Sequence, residues 1–334
     1  MGLETLTLLG RSAAQNARAI AGVFLCVCTL AVSGCASLWP QTAALREALP
    51  AGIPEKVELA AVPFFPQEEY QCGPAALATA LGAFGAKVTP DELVSQVYIP
   101  QRKGSLQVEM LAAARRHGMV SYQLAPRFED LLREIAAGNP VIVLQNLGIS
   151  DGWHYAVAVG YDYESGKLIL RSGTTEREVM AFTVHEMVWK RSGYWAMVAL
   201  PADRIAATAS EPRWLGAVAA MERAGNADSA RVAYQSFLKR WPDNVNAAIG
   251  LANTHYALGA LPEAERVLRD AVRRTPDSVI ALNNLAQTLS DQGKNEEALV
   301  FIERAVERVG AGGAAYAAAV QETRDTIRKR IAAK

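Results

Sequence analysis

Cys72 stands in the segment Gln67-Glu68-Glu69-Tyr70-Gln71-Cys72-Gly73-Pro74-Ala75-Ala76-Leu77, at a turn from loop into helix. Gly73 is small, Pro74 suits a first helical turn, and Ala75 to Leu81 propagates the helix. A thiol at a helix N-terminus faces the positive end of the dipole, which favours thiolate and nucleophilic chemistry. Gly73 also leaves a carbonyl group room to approach the backbone. The alternative is an inert cysteine packed on an alanine-rich helix. A cysteine nucleophile needs a base within hydrogen-bond reach, and the chain has four histidines. His255 reads as a helix-surface or packing residue. His117 ends a helix, where a cation suits the dipole. His185 stands near the start of a helix over residues 183–190 and reads as solvent-facing. His154 opens an apolar strand after the loop 148–153, where an imidazole can face a cleft, so it is the candidate base.

The elements that must position these residues follow from periodicity. Thr89-Pro90-Asp91-Glu92 signals a helix start with a capping box. Ser105 is expected to cap a helix ending at His117–Gly118, and residues 128–137 form a short amphipathic helix closed by Gly138-Asn139-Pro140. The period then changes. Val141–Leu144 is an apolar run suited to a buried strand, and Tyr155–Tyr161 and Leu168–Leu170 flank turn residues to give a hairpin. Tyr194–Leu200 reads as a closing strand. Helices followed by an antiparallel sheet predict an α+β domain over 59–201.

Beyond a polar, alanine-rich linker at 202–213, three series keep a step of 34: Gly225, Gly259, Gly293; Ala230, Ala264, Ala298; and Pro242, Pro276 with Gly310 in the third place. Trp214 fills an early aromatic position. The segment 214–334 resembles three tetratricopeptide repeats, each two antiparallel helices, plus a capping helix. The resemblance implies an all-α solenoid whose groove takes a protein partner.

The N-terminus reads as an export signal over 1–34. Arg11 and Arg18 precede the uncharged stretch Ala19–Ser33, and Val32-Ser33-Gly34-Cys35 resembles the lipobox of bacterial lipoproteins. That resemblance implies lipidation at Cys35, loss of Cys26 and Cys28, and a periplasm-facing anchor, most simply in the outer membrane. Cys72 is then the remaining free thiol in an oxidising compartment. Residues 35–58, with Pro40, Pro50, Gly52 and Pro54, read as a tether.

Residues 60–200 resemble the bacteriocin-processing, double-glycine-leader cysteine peptidase family and its papain-fold relatives. The resemblance rests on Gln67 before Cys72, the QCGPAAL helix start, Gly104, Gly138-Asn139-Pro140, and His154 followed by AVAVGYD. It implies that Cys72 attacks an amide carbonyl, His154 carries the proton, and Gln67 with the Cys72 N–H holds the oxyanion. The family's third member is an Asp or Asn on the next strand. Pairing Tyr161 with Lys167 puts His154 opposite Thr174, with Ser172 nearest the expected place and no carboxylate among 171–174. Asp151 is a substitute from the preceding loop; Asp162 reads as a turn residue at the far end.

The chain has 334 residues, with 34 basic and 34 acidic side chains, so charge gives no reason to expect a nucleic-acid partner. It carries no HExxH, paired CxxC, phosphate loop or GxSxG, and no cofactor or metal is implied. Three readings remain: a lipid-anchored thiol peptidase whose repeats bind substrate or partner, a non-catalytic peptide- or leader-binding module on a repeat scaffold, and an assembly scaffold for an envelope complex in which the array is the functional part and the first domain a spacer.

Overall fold

The structure is a computed structural model that describes residues 38–67, 71–148, 152–309 and 314–333. The export signal, Cys35 and Asp151 lie outside the described residues. Among the described residues no helix is long and apolar enough to cross a membrane.

The first domain opens with α1 (Pro40–Glu47) and β1 (Lys56–Glu58), then α2 (Cys72–Gly82) and α3 (Pro90–Val97). The capping box forms as expected: the Thr89 hydroxyl accepts from the Glu92 N–H, and the Glu92 carboxylate from the Thr89 N–H. The short pair β2 (Tyr98–Ile99) and β3 (Gly104–Ser105) leads into α4 (Gln107–Arg116). Ser105 therefore lies in a strand and Leu106 is the N-cap, because Ser105 pairs with Tyr98. There follow β4 (Met119–Gln123), α5 (Phe128–Ala136), β5 (Val141–Asn146), β6 (Trp153–Asp162), β7 (Lys167–Ser172), β8 (Thr175–Ala181), α6 (Phe182–Lys190) and β9 (Ala196–Pro201). The antiparallel sheet runs β4-β9-β5-β6-β7-β8, with β1 also pairing β6. Gly160 permits that close approach: a Cβ there would lie 2.6 Å from the Val57 carbonyl oxygen.

The sheet is covered on both faces. Ile142, Tyr155, Val157 and Ile169 pack against α2, α3 and α4. Val141, Ala156, Leu168 and Leu170 pack with α5 and α6, in a core that continues into the repeats. The alternation of β6 and β7 is thus satisfied on both sides, as a continuous apolar run requires.

Two expected connectors are structural. The supposed tether carries α1 and β1. Buried Glu186 accepts the N–H groups of Gln41 and Thr42 at 3.0 and 2.7 Å, and β1 pairs with Gly160–Asp162. The supposed linker is held by the fully buried Glu134, which accepts from Thr208 N and Oγ1 at 2.7 and 2.6 Å. A buried carboxylate filled with donors fixes a backbone that composition alone marks as loose.

The helices α7 (Glu211–Arg223), α8 (Ala227–Arg240), α9 (Val245–Ala257), α10 (Leu261–Arg274), α11 (Val279–Asp291) and α12 (Asn295–Val309) form three hairpins, with α13 (Ala317–Ala332) after them. Gly225, Gly259 and Gly293 turn each hairpin with φ of 83°, 74° and 78°, a region that penalises a Cβ. Ala230, Ala264 and Ala298 are fully buried where helices approach. Trp214 meets Tyr122 of β4 edge-on at 5.3 Å, joining repeats and sheet.

Candidate active site

Cys72 is the first residue of α2, and its thiol is free and buried, 8% exposed. The thiol lies against the backbone N–H of Tyr155, the residue after His154, which favours its thiolate form. Gly73 is forced by the packing here: a Cβ would lie 2.2 Å from the Ser105 hydroxyl, which is itself buried without a hydrogen-bond partner among the described residues. The Tyr155 hydroxyl donates to the Ser105 carbonyl at 3.2 Å, so Ser105 and Tyr155 lock the helix start against the sheet. Neither was picked out in the sequence as part of the site, because their contribution is made through backbone and contact rather than through a motif.

His154 is 7% exposed, and its Nε2 lies 3.0 Å from the Ser172 Oγ at the end of β7. Nε2–H donating to the hydroxyl leaves the Nδ1 lone pair free to accept a proton. The register that brings them together differs from the simple hairpin. Tyr161 pairs with Leu168, one residue off the expected Lys167, and an irregularity between Ala158 and Gly160 restores the offset so that Val157 faces Arg171. The two shifts cancel at the His154 end.

Gln67 sits beside the start of α2. Its N–H donates to the Gly173 carbonyl at 3.1 Å, and it lines a narrow crevice with Ala75, Ala76, Tyr155, Arg171 and Ser172. Arg171 is buried and grips the carbonyls of Ala60, Val62 and Glu176, holding the approach to Gln67 in place. Thus Gln67 and Ser172 share a crevice, Ser172 touches His154, and the Cys72 thiol lies against the backbone of Tyr155, the residue after His154. Among the described residues no hydrogen bond joins Cys72 to His154.

The electrostatics run against the dipole argument. Burial raises the Cys72 pKa, and the N–H groups of Tyr155, Gly73 and Cys72 offset that only in part. Burial lowers the His154 pKa to about 4. Desolvation disfavours both charged forms, so the resting pair is neutral thiol and neutral imidazole. His185 is not solvent-facing: it is fully buried, with its pKa lowered to about 3 by burial, its Nδ1 3.0 Å from Gln145 Nε2 and its ring stacked on Trp189. It belongs to the core beneath α6.

The repeats supply a second concavity, lined by Asn253, Tyr256, Asn283, Asn284 and Gln287 of α9 and α11. Asn284 donates to Asn253 at 2.9 Å, and Asn253 to Glu222 at 3.3 Å. Such a surface of linked amides can exchange hydrogen bonds with a polypeptide.

Residues 59–197 match the Peptidase_C39 like family, and residues 222–282 and 254–323 match two tetratricopeptide repeat families. No curated protein matches the chain. Among solved structures it is similar to a putative C39-like peptidase from Bacillus anthracis, at 18% identity over 44% of this chain and 98% of that one, TM-score 0.38. It is also similar to a double glycine motif protease from an AMS/PCAT transporter in complex with the leader peptide, at 21% identity over 42% and 91%, TM-score 0.35. Its repeats are similar to the Sgt2 TPR domain from Aspergillus fumigatus, at 20% identity over 36% and 78%, TM-score 0.34. The chain joins a C39-like peptidase domain to a tetratricopeptide-repeat array.

Proposed function

We propose that this protein is a lipid-anchored cysteine peptidase of the bacterial envelope, with Cys72 as nucleophile and His154 as base, and that its repeat groove binds the substrate or a partner protein. The observation that carries the reading is the His154 Nε2–Ser172 Oγ contact, taken together with a cysteine at a helix N-terminus. The Cys72 S–H proton passes to His154 Nδ1 as sulfur attacks the amide carbonyl carbon, and the carbonyl π pair moves onto oxygen. The Gln67 carboxamide and the Cys72 N–H hold that oxyanion; one such donor is worth roughly 3 kcal/mol. Collapse expels the amine, which takes the proton from His154, and leaves a thioester. Water, deprotonated by His154, then releases the acid and the thiol.

A non-catalytic peptide-binding module is the second reading, favoured by the neutral resting pair and the hydroxyl in place of a carboxylate. Substrate that excludes water and aligns the thiol would have to trigger proton transfer. The two readings separate in the alkylation rate of Cys72 against pH, in the protein and in its His154→Ala variant. A rate that falls several-fold on loss of His154 near neutral pH supports the peptidase. A rate indifferent to His154 across the range leaves the binding module.

A further inference from the structure

Residues 60–67, which lead Gln67 towards the start of α2, carry no helix or strand. Pro63 and Pro66 have no N–H to donate, so the segment can do little to hold itself. Among the described residues, the hydrogen bonds that tie it to the rest of the domain come from Arg171 of β7 and from Gly173 just beyond that strand. Arg171 Nη2 donates to the carbonyls of Ala60 and Val62 at 3.4 and 3.3 Å, and the Gly173 carbonyl accepts the Gln67 N–H at 3.1 Å. Arg171 Nη1 donates to the Glu176 carbonyl at 2.6 Å, which fixes the guanidinium to β8 as well. Between these two residues stands Ser172, whose hydroxyl lies 3.0 Å from His154 Nε2. Arg171 is buried, its Nε has no hydrogen-bond partner and no carboxylate pairs with it among the described residues; Glu58 is bound instead to Arg177 at 2.7 and 2.9 Å. A buried cation without an acid is costly, and an apolar side chain would fill the same space without that cost. Packing alone therefore gives no reason for a guanidinium here, whereas reaching three carbonyls on two segments does.

We propose that Arg171 is the positioning residue of the oxyanion donor: its guanidinium fixes residues 60–62 against β8 and so sets where the Gln67 carboxamide stands. The inference rests on the reading of Cys72, His154 and Gln67 as a peptidase site. Three consecutive residues then divide the work, Arg171 holding the strap, Ser172 the base and Gly173 the backbone of Gln67. Donors aimed in advance at a developing oxyanion need no reorganisation during the reaction, and a displacement of about 1 Å can cost about a hundredfold in rate. Arg171 acts through Gln67, so its loss is felt in steps that place charge on a carbonyl oxygen and not in every reaction of the thiol.

The test compares two reactions of Cys72 in the full chain, acylation by p-nitrophenyl acetate and alkylation by iodoacetamide, each corrected by the Cys72→Ser variant. In the first, sulfur attacks the ester carbonyl as its proton passes to His154. The π pair moves onto oxygen, then returns to expel p-nitrophenolate and leave an acetyl thioester. In the second, sulfur displaces iodide from carbon and no oxyanion forms. Arg171→Met is expected to slow acylation about tenfold or more while alkylation stays within about twofold. Arg171→Lys, which keeps the charge and loses the fork, should fall between. In Gln67→Ala, where acylation is already slowed about a hundredfold, Arg171→Met should add less than about a further twofold, because coupled residues do not act additively. Slowing of both reactions alike, or of neither, overturns the positioning role, and so does an undiminished loss in the Gln67→Ala background. If Arg171→Met does not fold, the same comparison on Arg171→Lys decides. A wild-type Cys72 that is alkylated but releases no p-nitrophenolate above the Cys72→Ser control overturns the peptidase reading, and the proposal with it.

Discussion

His154 Nε2 lies 3.0 Å from Ser172 Oγ, a hydroxyl where the peptidase family that the sequence resembles carries an acid or amide. A hydroxyl orients the ring but does little for imidazolium, and burial alone then holds His154 near 4. Ser172→Asp is expected to raise the His154 pKa by about one to three units and to speed Cys72 alkylation near neutral pH. Ser172→Ala, which removes one neutral hydrogen bond, should slow any His154-dependent rate about fivefold. Histidine proton resonances followed against pH check both; a His154 titration unmoved by Ser172→Asp would detach Ser172 from the base.

Gly73 and Ser105 make a second, purely steric pair. In Gly73→Ala the new methyl would sit 2.2 Å from Ser105 Oγ and 2.6 Å from Ser105 Cβ. Overpacking of this kind costs about 1–3 kcal/mol and should displace the start of α2, and Cys72 with it. Both offending atoms belong to one side chain, so Ser105→Gly in the Gly73→Ala background should recover most of the loss. Urea unfolding of the three variants measures it, and additive effects would show that the two sites do not touch.

Stability should fall on mild acidification. The folded pKa values of His154 and His185, about 4 and about 3, lie below the ordinary 6.5. Between those limits the unfolded chain binds protons that the folded chain refuses, so stability is complete above pH 6.5 and declines as pH drops towards 4. The limiting slope is about 1.4 kcal/mol per pH unit for each histidine. Glu265, lowered to about 2 by its partners Lys294, Arg269 and Gln292 despite burial, acts below that window. His185→Phe is expected to flatten the limb between pH 6 and 4 in urea midpoints. A wild-type profile that is flat there would mean that neither ring is buried neutral.

Glu134 should set the independence of the two domains. Its carboxylate holds Asn139 Nδ2 at 2.6 Å as well as the backbone of Ala207 and Thr208. Glu134→Ala leaves these donors unmatched, at about 1–3 kcal/mol for each buried group. Limited proteolysis is expected to cut residues 202–210 in this variant and spare them in the wild type, with thermal unfolding splitting into two transitions. An uncut segment would place the coupling elsewhere, chiefly in the Tyr122–Trp214 contact.

What could be read locally was read in the sequence. The 34-residue step, the capping box at Thr89 and the cysteine at a helix start depend on neighbours a few positions away, so spacing alone reveals them. The pairing of His154 with Ser172 was also within reach, because strand parity survives a bulge that compensates a shifted hairpin. Five strands escaped: β1 lies in the supposed tether, β2 and β3 are two residues each, β4 follows its helix with only His117 and Gly118 between, and β8 is a mostly exposed edge strand without an apolar run. The tether and the linker misled because proline and alanine content reports local stiffness. It does not report a distant buried carboxylate such as Glu186 or Glu134.

The sequence by itself determined the repeats, the α+β order and which side chains could do chemistry. Only the tertiary structure decided their protonation, the burial of His185, and the docking of α1 against α6. The physical reason is desolvation. The dipole at the start of α2 is a local property, but the charge of Cys72 and His154 depends on water excluded by β3, β5, β7 and α4, elements distant in the chain. Those elements keep both groups neutral, against what the local dipole favours.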